Sequence, residues 1–246
     1  MFNWKDITDD PNDADAQIKW LEYYRSITQE VAGIARDDLI ISILRESKNS
    51  GKKKILDIGF AEHTGKYIDD KNWFHFKLRT QFPREEVWGV DIDEHLVEYV
   101  KNKYGWENLI AYDATKRPFR GCYFDNIHAG DVIEHVSDVG AFMTFCYMSL
   151  NPGGRLLITT PNLVSQQFIR NLMRHGSVVA NFEHTCWITP TNINEHCRRT
   201  GFQFERSIYH LSKKKQLVKK ILPHSLYNRV RDFMCYEYIY LLRKLK

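Results

Sequence analysis

The sequence predicts an α/β fold in which helices cover both faces of a doubly wound, mostly parallel sheet, with a helical extension before it. Three observations predict this fold. From residue 54 onward, short apolar runs typical of strands buried on both faces alternate with segments of helical periodicity. The runs end at glycines or acidic residues, and ligands bind at such strand ends in open parallel sheets. A chain of 246 residues with 43% hydrophobic residues can bury the core that this fold needs.

Five apolar runs predict the first strands. They cover residues 54–59, 87–92, 109–114, 124–131 and 155–161. Between them, apolar side chains recur at helical spacing in two segments, the second of which ends before the breaker Asn-Pro-Gly-Gly. These helices are predicted at residues 94–104 and 139–150. We therefore expect helices to connect successive strands and to pack on the sheet.

The segment before the first strand also has helical periodicity. Residues 16–47 are predicted to form one or two helices that cover the sheet or its ligand site. This places a helical extension at residues 1–50 and a single larger domain at residues 51–246.

The segment after the fifth strand predicts two helices and two strands. The helices are expected at residues 163–174 and 191–200, and the second is opened by a proline and closed by a glycine. Two runs rich in aromatic and β-branched residues, 202–211 and 235–244, predict the final strands. The expected sheet therefore has seven strands.

Residues 212–234, between the last two predicted strands, form a basic amphipathic insertion. They contain seven lysines and arginines and one acidic residue, a net charge of +6 in a chain whose total is +4. Leu217, Val218, Ile221 and Leu222 fall on one side of a helix, with lysines on the other. This pattern predicts peripheral contact with an anionic membrane or an acidic partner, with a solvated face as the alternative. Because the basic residues do not line a long groove, we expect no nucleic-acid partner.

The amino terminus and the cysteines bear on the cellular compartment. The first residues, MFNWKDITDDPNDADAQ, are acidic and lack the basic-then-apolar pattern of a secretory signal. No apolar run approaches the ~18 residues that span a bilayer. The five cysteines include no C-x-x-C pair, which favours reduced thiols over disulfides or a zinc site. We therefore expect a cytoplasmic protein, located at the inner membrane face if the insertion binds lipid.

Three strand ends carry residues suited to a nucleotide-like ligand. After the first strand, the stretch DIGFAEHTG places Gly59 in a tight turn and Ala61 where a backbone can approach a ligand closely. Asp91 ends the second strand, where it can accept hydrogen bonds from ribose hydroxyls. Asp113, followed by Ala114, ends the third and can bond an adenine amino group. Each feature alone is common, but their order and spacing together favour a cofactor site.

Six motifs extend this pattern over residues 54–201. They are ILDIGFAEH, VWGVDID, YDATKRPF, FDNIHAGDVIEHVSD, LNPGGRLLITTPN and EHTCWITPTNINEHCRRTGF. Together they resemble the class I S-adenosylmethionine-dependent methyltransferases. The resemblance implies a Rossmann-like, seven-stranded sheet whose last strand is antiparallel, with S-adenosyl-L-methionine as the cofactor. It also implies contacts of the methionine part with Asp57, Gly59 and Ala61, of the ribose with Asp91 and Ile92, of the adenine with Asp113 and Ala114, and of the sulfonium region with Gly130 and Asp131.

The first turn departs from the family's G-x-G-x-G pattern. Gly59 is followed by Ala61 and His63, and the next glycine is Gly65. A dinucleotide oxidoreductase is the competing interpretation of such a sheet, but it normally keeps the third glycine for helix packing. The phrases DVIEHV and NPGGRLLITTPN favour methyl transfer.

The stretch GDVIEHVSD, residues 130–138, places three ionisable groups at the end of a predicted buried strand, where each is costly to desolvate without a partner. His135 is a candidate general base near neutral pH. Alternatively, Asp131, Glu134 and His135, joined by His184 of the NFEHTCW loop, form a ligand set for Mg²⁺ or Mn²⁺. That set resembles the E-x-x-E-H motif and distant histidine of ubiquinone-pathway and small-RNA methyltransferases, with Asp in place of the first Glu. The structural alternative is that Glu134 caps the next helix and His135 packs beneath it.

Three functions agree with these features. The first is O-methylation of a sugar hydroxyl in surface glycan or glycolipid biosynthesis, which the resemblance and the basic insertion favour. The second is O-methylation of a quinone precursor or another small metabolite. The third is a non-catalytic binding module that retains the fold and holds a partner through the insertion. Binding and turnover of S-adenosylmethionine separate the first two from the third.

Overall fold

The computed structural model describes residues 1–46, 53–61, 66–68, 70–83, 86–117, 123–178 and 180–245. Within these residues, eight strands form one mixed sheet. The strands are β1 Thr28–Ala32, β2 Lys54–Ile58, β3 Glu86–Asp91, β4 Leu109–Ala111, β5 Phe124–Gly130, β6 Leu150–Pro161, β7 Phe202–Leu211 and β8 Glu237–Lys244. The α-helices are α1 Ala14–Ile27, α2 Arg36–Arg45, α3 Phe74–Gln81, α4 Glu94–Tyr104, α5 Val139–Ser149, α6 Gln166–His175, α7 Pro190–Thr200, α8 Lys213–Ile221 and α9 His224–Met234.

The strand order creates a switch point in the middle of the sheet. The strands lie side by side in the order β1-β7-β8-β6-β5-β2-β3-β4. Strand β8 runs antiparallel to β6 and β7, whereas the other paired strands are parallel. From β2 the chain continues to β3 and β4 on one side, and β5 lies on the other side of β2. Loops that leave neighbouring strands in opposite directions open a crevice at their carboxyl ends, so the ligand site is expected beside β2 and β5.

The predicted fold is confirmed, with one additional strand. All seven predicted strands are present, and the last one is antiparallel. The segment 16–47, expected to form one or two helices, forms α1 and α2 with the additional strand β1 between them. Strand β1 pairs in parallel with the edge of β7, and the hydroxyls of Tyr24 and Ser207 share a 2.9 Å hydrogen bond beside it. The pairing partner lies far along the chain, so local periodicity could not reveal this strand.

Two helices have clear start and stop signals at their ends. Helix α4 begins after Asp93, whose carboxylate accepts a 3.0 Å hydrogen bond from the Leu96 amide, and it ends at Gly105 in the left-handed region. Helix α7 begins with a proline behind the capping residue Thr189, and it ends at Gly201, also left-handed. Capping residues therefore set both pairs of boundaries.

The basic insertion forms two helices, α8 and α9, and α8 carries the apolar positions 217, 218 and 221 that predicted a helix. Val218 and Leu222 pack against the core, whereas Ile221 is 79% exposed. The side chain of Leu217 lies outside the described part. Part of the predicted apolar face is therefore used by the protein's own fold. None of the helices that the structure describes is long and apolar enough to cross a bilayer.

Helices cover both faces of the sheet. Trp20 of α1, Phe142 of α5 and Ile193 of α7 belong to the largest cluster of buried apolar side chains. Ile40 of α2 and Leu78 of α3 belong to a second cluster. Each fully buried side chain of this size contributes roughly 1.5–3 kcal/mol to stability. The core thus anchors the strands whose ends form the site.

Candidate active site

A cleft of about 1300 Å³ lies at the carboxyl ends of the central strands. Its walls come from the segments after β2, β3, β4 and β5, from α2 and α6, and from residues 180–184. The predicted site residues in these walls are Asp57, Gly59, Asp91, Ile92, Asp113, Ala114, Gly130, Asp131, Glu134, His135 and His184. Ala61 lies behind Asp91, fully buried, and donates its amide hydrogen to the Asp91 carboxylate at 2.9 Å. The sequence pattern therefore located one continuous cleft.

The turn after β2 requires a glycine. Gly59 has φ of 74°, a left-handed conformation, and a Cβ there would lie 2.6 Å from Cγ2 of Val132. Its amide donates a 2.8 Å hydrogen bond to the Val90 carbonyl. His63 and Gly65, which mark the departure from the family's glycine pattern, lie outside the described residues. The turn thus leaves backbone without a side chain at the cleft wall.

Asp57 is held by two histidines. It is 2% exposed, and its two carboxylate oxygens accept hydrogen bonds from Nδ1 of His75 at 2.8 Å and from Nδ1 of His128 at 2.7 Å. Burial alone would favour the neutral acid, but these two hydrogen bonds lower the pKa of Asp57 below its usual value. Burial lowers the pKa of His75. Asp57 is therefore a carboxylate that fixes two imidazole rings.

Asp91 and Asp113 present carboxylates at the next two strand ends. Asp91 accepts hydrogen bonds from the amides of Ala61 at 2.9 Å and Asp93 at 3.1 Å, and burial raises the pKa of Asp91. Asp113 accepts hydrogen bonds from the hydroxyl of Thr115 at 2.6 Å and from its amide at 2.9 Å, and these bonds lower the pKa of Asp113. Both carboxylates are fixed in place, which suits recognition of hydroxyl and amino groups.

Asp131 pairs with an arginine rather than joining a metal-ligand cluster. Its Oδ2 lies 2.6 Å from Nη2 of Arg36, and its Oδ1 accepts a 3.1 Å hydrogen bond from Thr159. Nε of Arg36 lies 2.9 Å from Glu237 as well. Among the described residues, the group whose ligand atoms lie close enough to share a cation contains the other three predicted residues and not Asp131.

Those three residues, Glu134, His135 and His184, have ligand atoms that all lie within 4.8 Å of one another. The two imidazole rings meet edge to face, with centroids 4.7 Å apart. Glu134 is fully buried; its Oε2 accepts a 3.0 Å hydrogen bond from Thr160, and its Oε1 has no hydrogen-bond partner among the described residues. Burial, reinforced by the charge of Asp131, raises the pKa of Glu134 to about 7.

The backbone of Glu134 also positions the distant histidine. The amide of Thr185 donates a 2.8 Å hydrogen bond to the Glu134 carbonyl, and the Thr185 hydroxyl donates to the Val136 carbonyl at 2.8 Å. On its other side, His184 contacts the ring of Trp187, with centroids 5.6 Å apart. The loop is thus fastened to the turn after β5, and this brings His184 to His135.

Two cleft residues were missed by the sequence analysis. Arg36 begins α2 and carries no motif, so only the fold shows that it reaches Asp131. His128 lies within an apolar strand run. A histidine in the middle of such a strand is a sequence signal that could have marked it as a candidate site residue. Both matter because they place nitrogen groups beside carboxylates in the cleft.

The sheet order, the single antiparallel strand and the cleft at the switch point define a Rossmann-like α/β protein with a nucleotide-type cofactor site. Residues 32–207 match the family model described as a methyltransferase domain. The chain therefore belongs to the class I S-adenosylmethionine-dependent methyltransferases and is an enzyme. This match sets aside the dinucleotide-oxidoreductase interpretation.

Similar proteins carry related names. A probable S-adenosylmethionine-dependent methyltransferase of Mycolicibacterium smegmatis is 27% identical over 122 residues, 50% of this chain and 45% of that protein. A ubiquinone biosynthesis O-methyltransferase of Marinobacter nauticus is 25% identical over 48% of this chain and 54% of that protein. The chain thus spans about half the length of these curated relatives. An Archaeoglobus fulgidus S-adenosylmethionine-dependent methyltransferase structure has a TM-score of 0.55 and 17% identity, over 93% of this chain and 99% of that one, which shows the same fold.

The cleft fits this cofactor. A Cβ at Gly59 or at Gly130 would collide with Val132 or His128, so both positions require a glycine, and both glycines line the cleft wall. Asp91 and Asp113 offer fixed acceptors at the two following strand ends. Backbone without side chains and carboxylate acceptors are the groups that an amino acid joined to a nucleoside requires.

Proposed function

We propose that this enzyme is an O-methyltransferase whose transfer site is the cluster Glu134, His135 and His184. S-adenosylmethionine, when bound, supplies an electrophilic methyl group on a sulfonium. The protein must then align the acceptor oxygen and remove its proton. The observation that carries the proposal is the convergence of one carboxylate and two imidazoles within 4.8 Å, in the wall of the cofactor cleft.

Two arrangements of this cluster would remove the proton. In the first, His135 accepts it directly as a general base. In the second, the three side chains hold a divalent cation, Mg²⁺ or Mn²⁺, that binds the acceptor oxygen and makes it more acidic. Two imidazole nitrogens with one carboxylate suit Mn²⁺ better than Mg²⁺, which prefers oxygen ligands. The unpartnered Oε1 of Glu134 supports the second arrangement, because a buried oxygen without a donor is satisfied by a cation.

We propose a sugar hydroxyl, in a glycan or glycolipid, as the acceptor. Gln167 and Asn171 of α6 and Asn181 line the cleft together with the ring of Phe168 and with His184. Amide groups can both donate to and accept from hydroxyls, while an aromatic face covers apolar C–H groups. A quinone precursor or another small metabolite is the second candidate, favoured by the Marinobacter relative that is named for ubiquinone biosynthesis.

The basic insertion, residues 212–234, is proposed to bring the enzyme to an anionic membrane from the cytoplasmic side. Ile221 projects into solvent at the end of α8, next to the exposed Lys220. Lys219 already forms an ion pair with Glu30 at 2.5 Å, so it contributes less than its charge suggests. An exposed apolar residue among lysines suits the interfacial region of a bilayer.

The first step is to identify an acceptor by screening glycolipids, nucleotide sugars and catechols. Chelation of metal ions then distinguishes the general base from the bound cation in assays with that acceptor. If the cluster holds a cation, EDTA abolishes turnover, and added Mn²⁺ restores it in the wild type but not in His184→Ala. If His135 acts alone, EDTA has no effect and His135→Ala lowers turnover by about two to four orders of magnitude. Full turnover in both His135→Ala and His184→Ala would refute the transfer site. Calorimetry with S-adenosylhomocysteine checks that each variant still binds the cofactor.

A further inference from the structure

Three buried side chains beneath the cleft form a linear network. Asp57 lies in the middle and accepts one hydrogen bond from His75 and one from His128. Because both contacts use Nδ1 of the ring, each histidine donates its Nδ1 hydrogen to the carboxylate. The remaining nitrogen, Nε2, then determines what each ring can do.

The two Nε2 atoms differ in their surroundings. Nε2 of His75 accepts a 3.2 Å hydrogen bond from Nε of Arg79, so both nitrogens of this ring are satisfied. His128 is 5% exposed and lines the cleft, and its Nε2 has no hydrogen-bond partner in the part of the chain that the structure describes. A buried nitrogen without a partner costs roughly 1–3 kcal/mol, so a residue kept in this state in a ligand cleft points to a ligand.

The position of this nitrogen is well defined. A Cβ at Gly130 would lie 3.0 Å from Nε2 of His128 and 3.7 Å from the hydroxyl of Thr159. The ring of Phe74 packs on the imidazole, with centroids 4.5 Å apart. Only a glycine fits beside this edge of the ring, and Phe74 with Asp57 keeps the ring from turning away.

We propose that Nε2 of His128 accepts a hydrogen bond from the ammonium group at the amino-acid end of S-adenosylmethionine. With Nδ1 donating to Asp57, Nε2 is the nitrogen of this ring that is left to accept a hydrogen bond. The carboxylate behind the ring favours a cationic donor in front of it. This assignment depends on the cofactor and not on the acceptor, so failure of the proposed acceptor chemistry leaves it unaffected.

Two substitutions of the same residue distinguish ligand binding from a structural role. His128→Asn keeps an amide N–H near the position of Nδ1 and loses the atom that faces the cleft. His128→Gln keeps an amide near the position of Nε2 and loses the group that bonds Asp57. We expect His128→Asn to weaken S-adenosylhomocysteine binding by about ten- to a hundredfold in calorimetry, and His128→Gln to weaken it by less than about fivefold. The opposite order would show that the ring only supports Asp57, and would overturn the proposal.

Truncated ligands identify the group that His128 binds. 5′-Methylthioadenosine lacks the amino-acid end, so the wild type and His128→Asn should bind it equally. Decarboxylated S-adenosylhomocysteine keeps the ammonium and should show the same loss as the full ligand; if it shows none, His128 binds the carboxylate and the proposal fails. His75→Asn is the matched control, since it changes the other ring on Asp57, and it should bind S-adenosylhomocysteine within about threefold of the wild type.

A measurement on the wild type covers the case in which His128→Asn does not fold. In protein labelled with ¹⁵N in histidine, the Nε2 resonance of His128, assigned with His128→Gln, should shift when S-adenosylhomocysteine is added. It should stay in place with 5′-methylthioadenosine. A shift of equal size with both ligands, or with neither, would overturn the proposal.

Discussion

Replacing Glu134 by glutamine should make the protein more stable at pH 8 while it loses activity. The carboxyl is fully buried, and burial raises its pKa from 4.5 to about 7. A folded-state pKa above the unfolded one means that the native state binds more protons, so stability falls as the pH rises from about 4.5 to about 7. Glutamine has nearly the same shape but never ionises. The variant should therefore escape this loss of stability.

The size of the effect follows from the shift. A rise from 4.5 to about 7 corresponds to about 3 kcal/mol once the pH is above both values. The hydrogen bond from Thr160, which favours the charged form, is already contained in this net shift. The gain at pH 8 is therefore about 3 kcal/mol, which for a chain of this size is a rise in Tm of roughly 6–12 °C. Near pH 4.5 the gain disappears, because the wild-type carboxyl is then neutral too.

Denaturant unfolding of both proteins across this pH range, in EDTA, is the assay. Glu195→Gln is the matched control with the opposite sign, because hydrogen bonds from Arg198 and Arg199 lower the pKa of Glu195 to about 2. Removal of the Glu195 carboxylate should destabilise the protein at pH 8. If Glu134→Gln is no more stable than the wild type at pH 8, or if the difference does not change with pH, the carboxyl is not held as the structure indicates. Added Mn²⁺ should reverse the order of stability if the cluster holds a cation, since only the wild type keeps a charged ligand.

Two further perturbations test the cofactor site and the basic insertion. Asp91→Ala should weaken S-adenosylhomocysteine binding by about ten- to a hundredfold in calorimetry, because it removes a fixed acceptor for hydroxyl groups; unchanged affinity would remove Asp91 from the site. Replacing Lys214, Lys215, Lys219 and Lys220 by glutamine should reduce binding to anionic vesicles, at about 1 kcal/mol for each charge near the surface, with little change in turnover of a soluble acceptor. If the wild-type protein does not bind anionic vesicles at low salt, the proposed membrane contact is refuted.

Elements whose signals are local in sequence were predictable. Gly105 and Gly201 end their helices in left-handed conformations, and such stops are visible in a single sequence. The turn glycine Gly59 and the acidic strand ends Asp91 and Asp113 follow from the same local logic. They lie together in one cleft because parallel strands bring their carboxyl ends to one edge.

Features that depend on distant partners were not predictable. Strand β1 exists because β7 offers it an edge, and five residues of mixed polarity carry no periodicity of their own. Arg36 becomes a cleft residue because its guanidinium reaches Asp131, 95 positions away. His184 was predicted by resemblance alone, and the contact that brings it to His135 passes through the backbone of Glu134 and Thr185. Tertiary contacts of this kind leave no mark on local sequence.

The turn after β5 explains why one short segment serves both halves of the site. Asp131 has φ of 53°, a left-handed conformation that costs roughly 1–2 kcal/mol for a residue with a side chain. Both of its carboxylate oxygens are held, by Arg36 and Thr159, and these contacts stabilise the turn. Glu134 follows three residues later in the same turn and is fully buried. Asp131, which the sequence suggested as a metal ligand, therefore shapes the turn that carries Glu134 and His135.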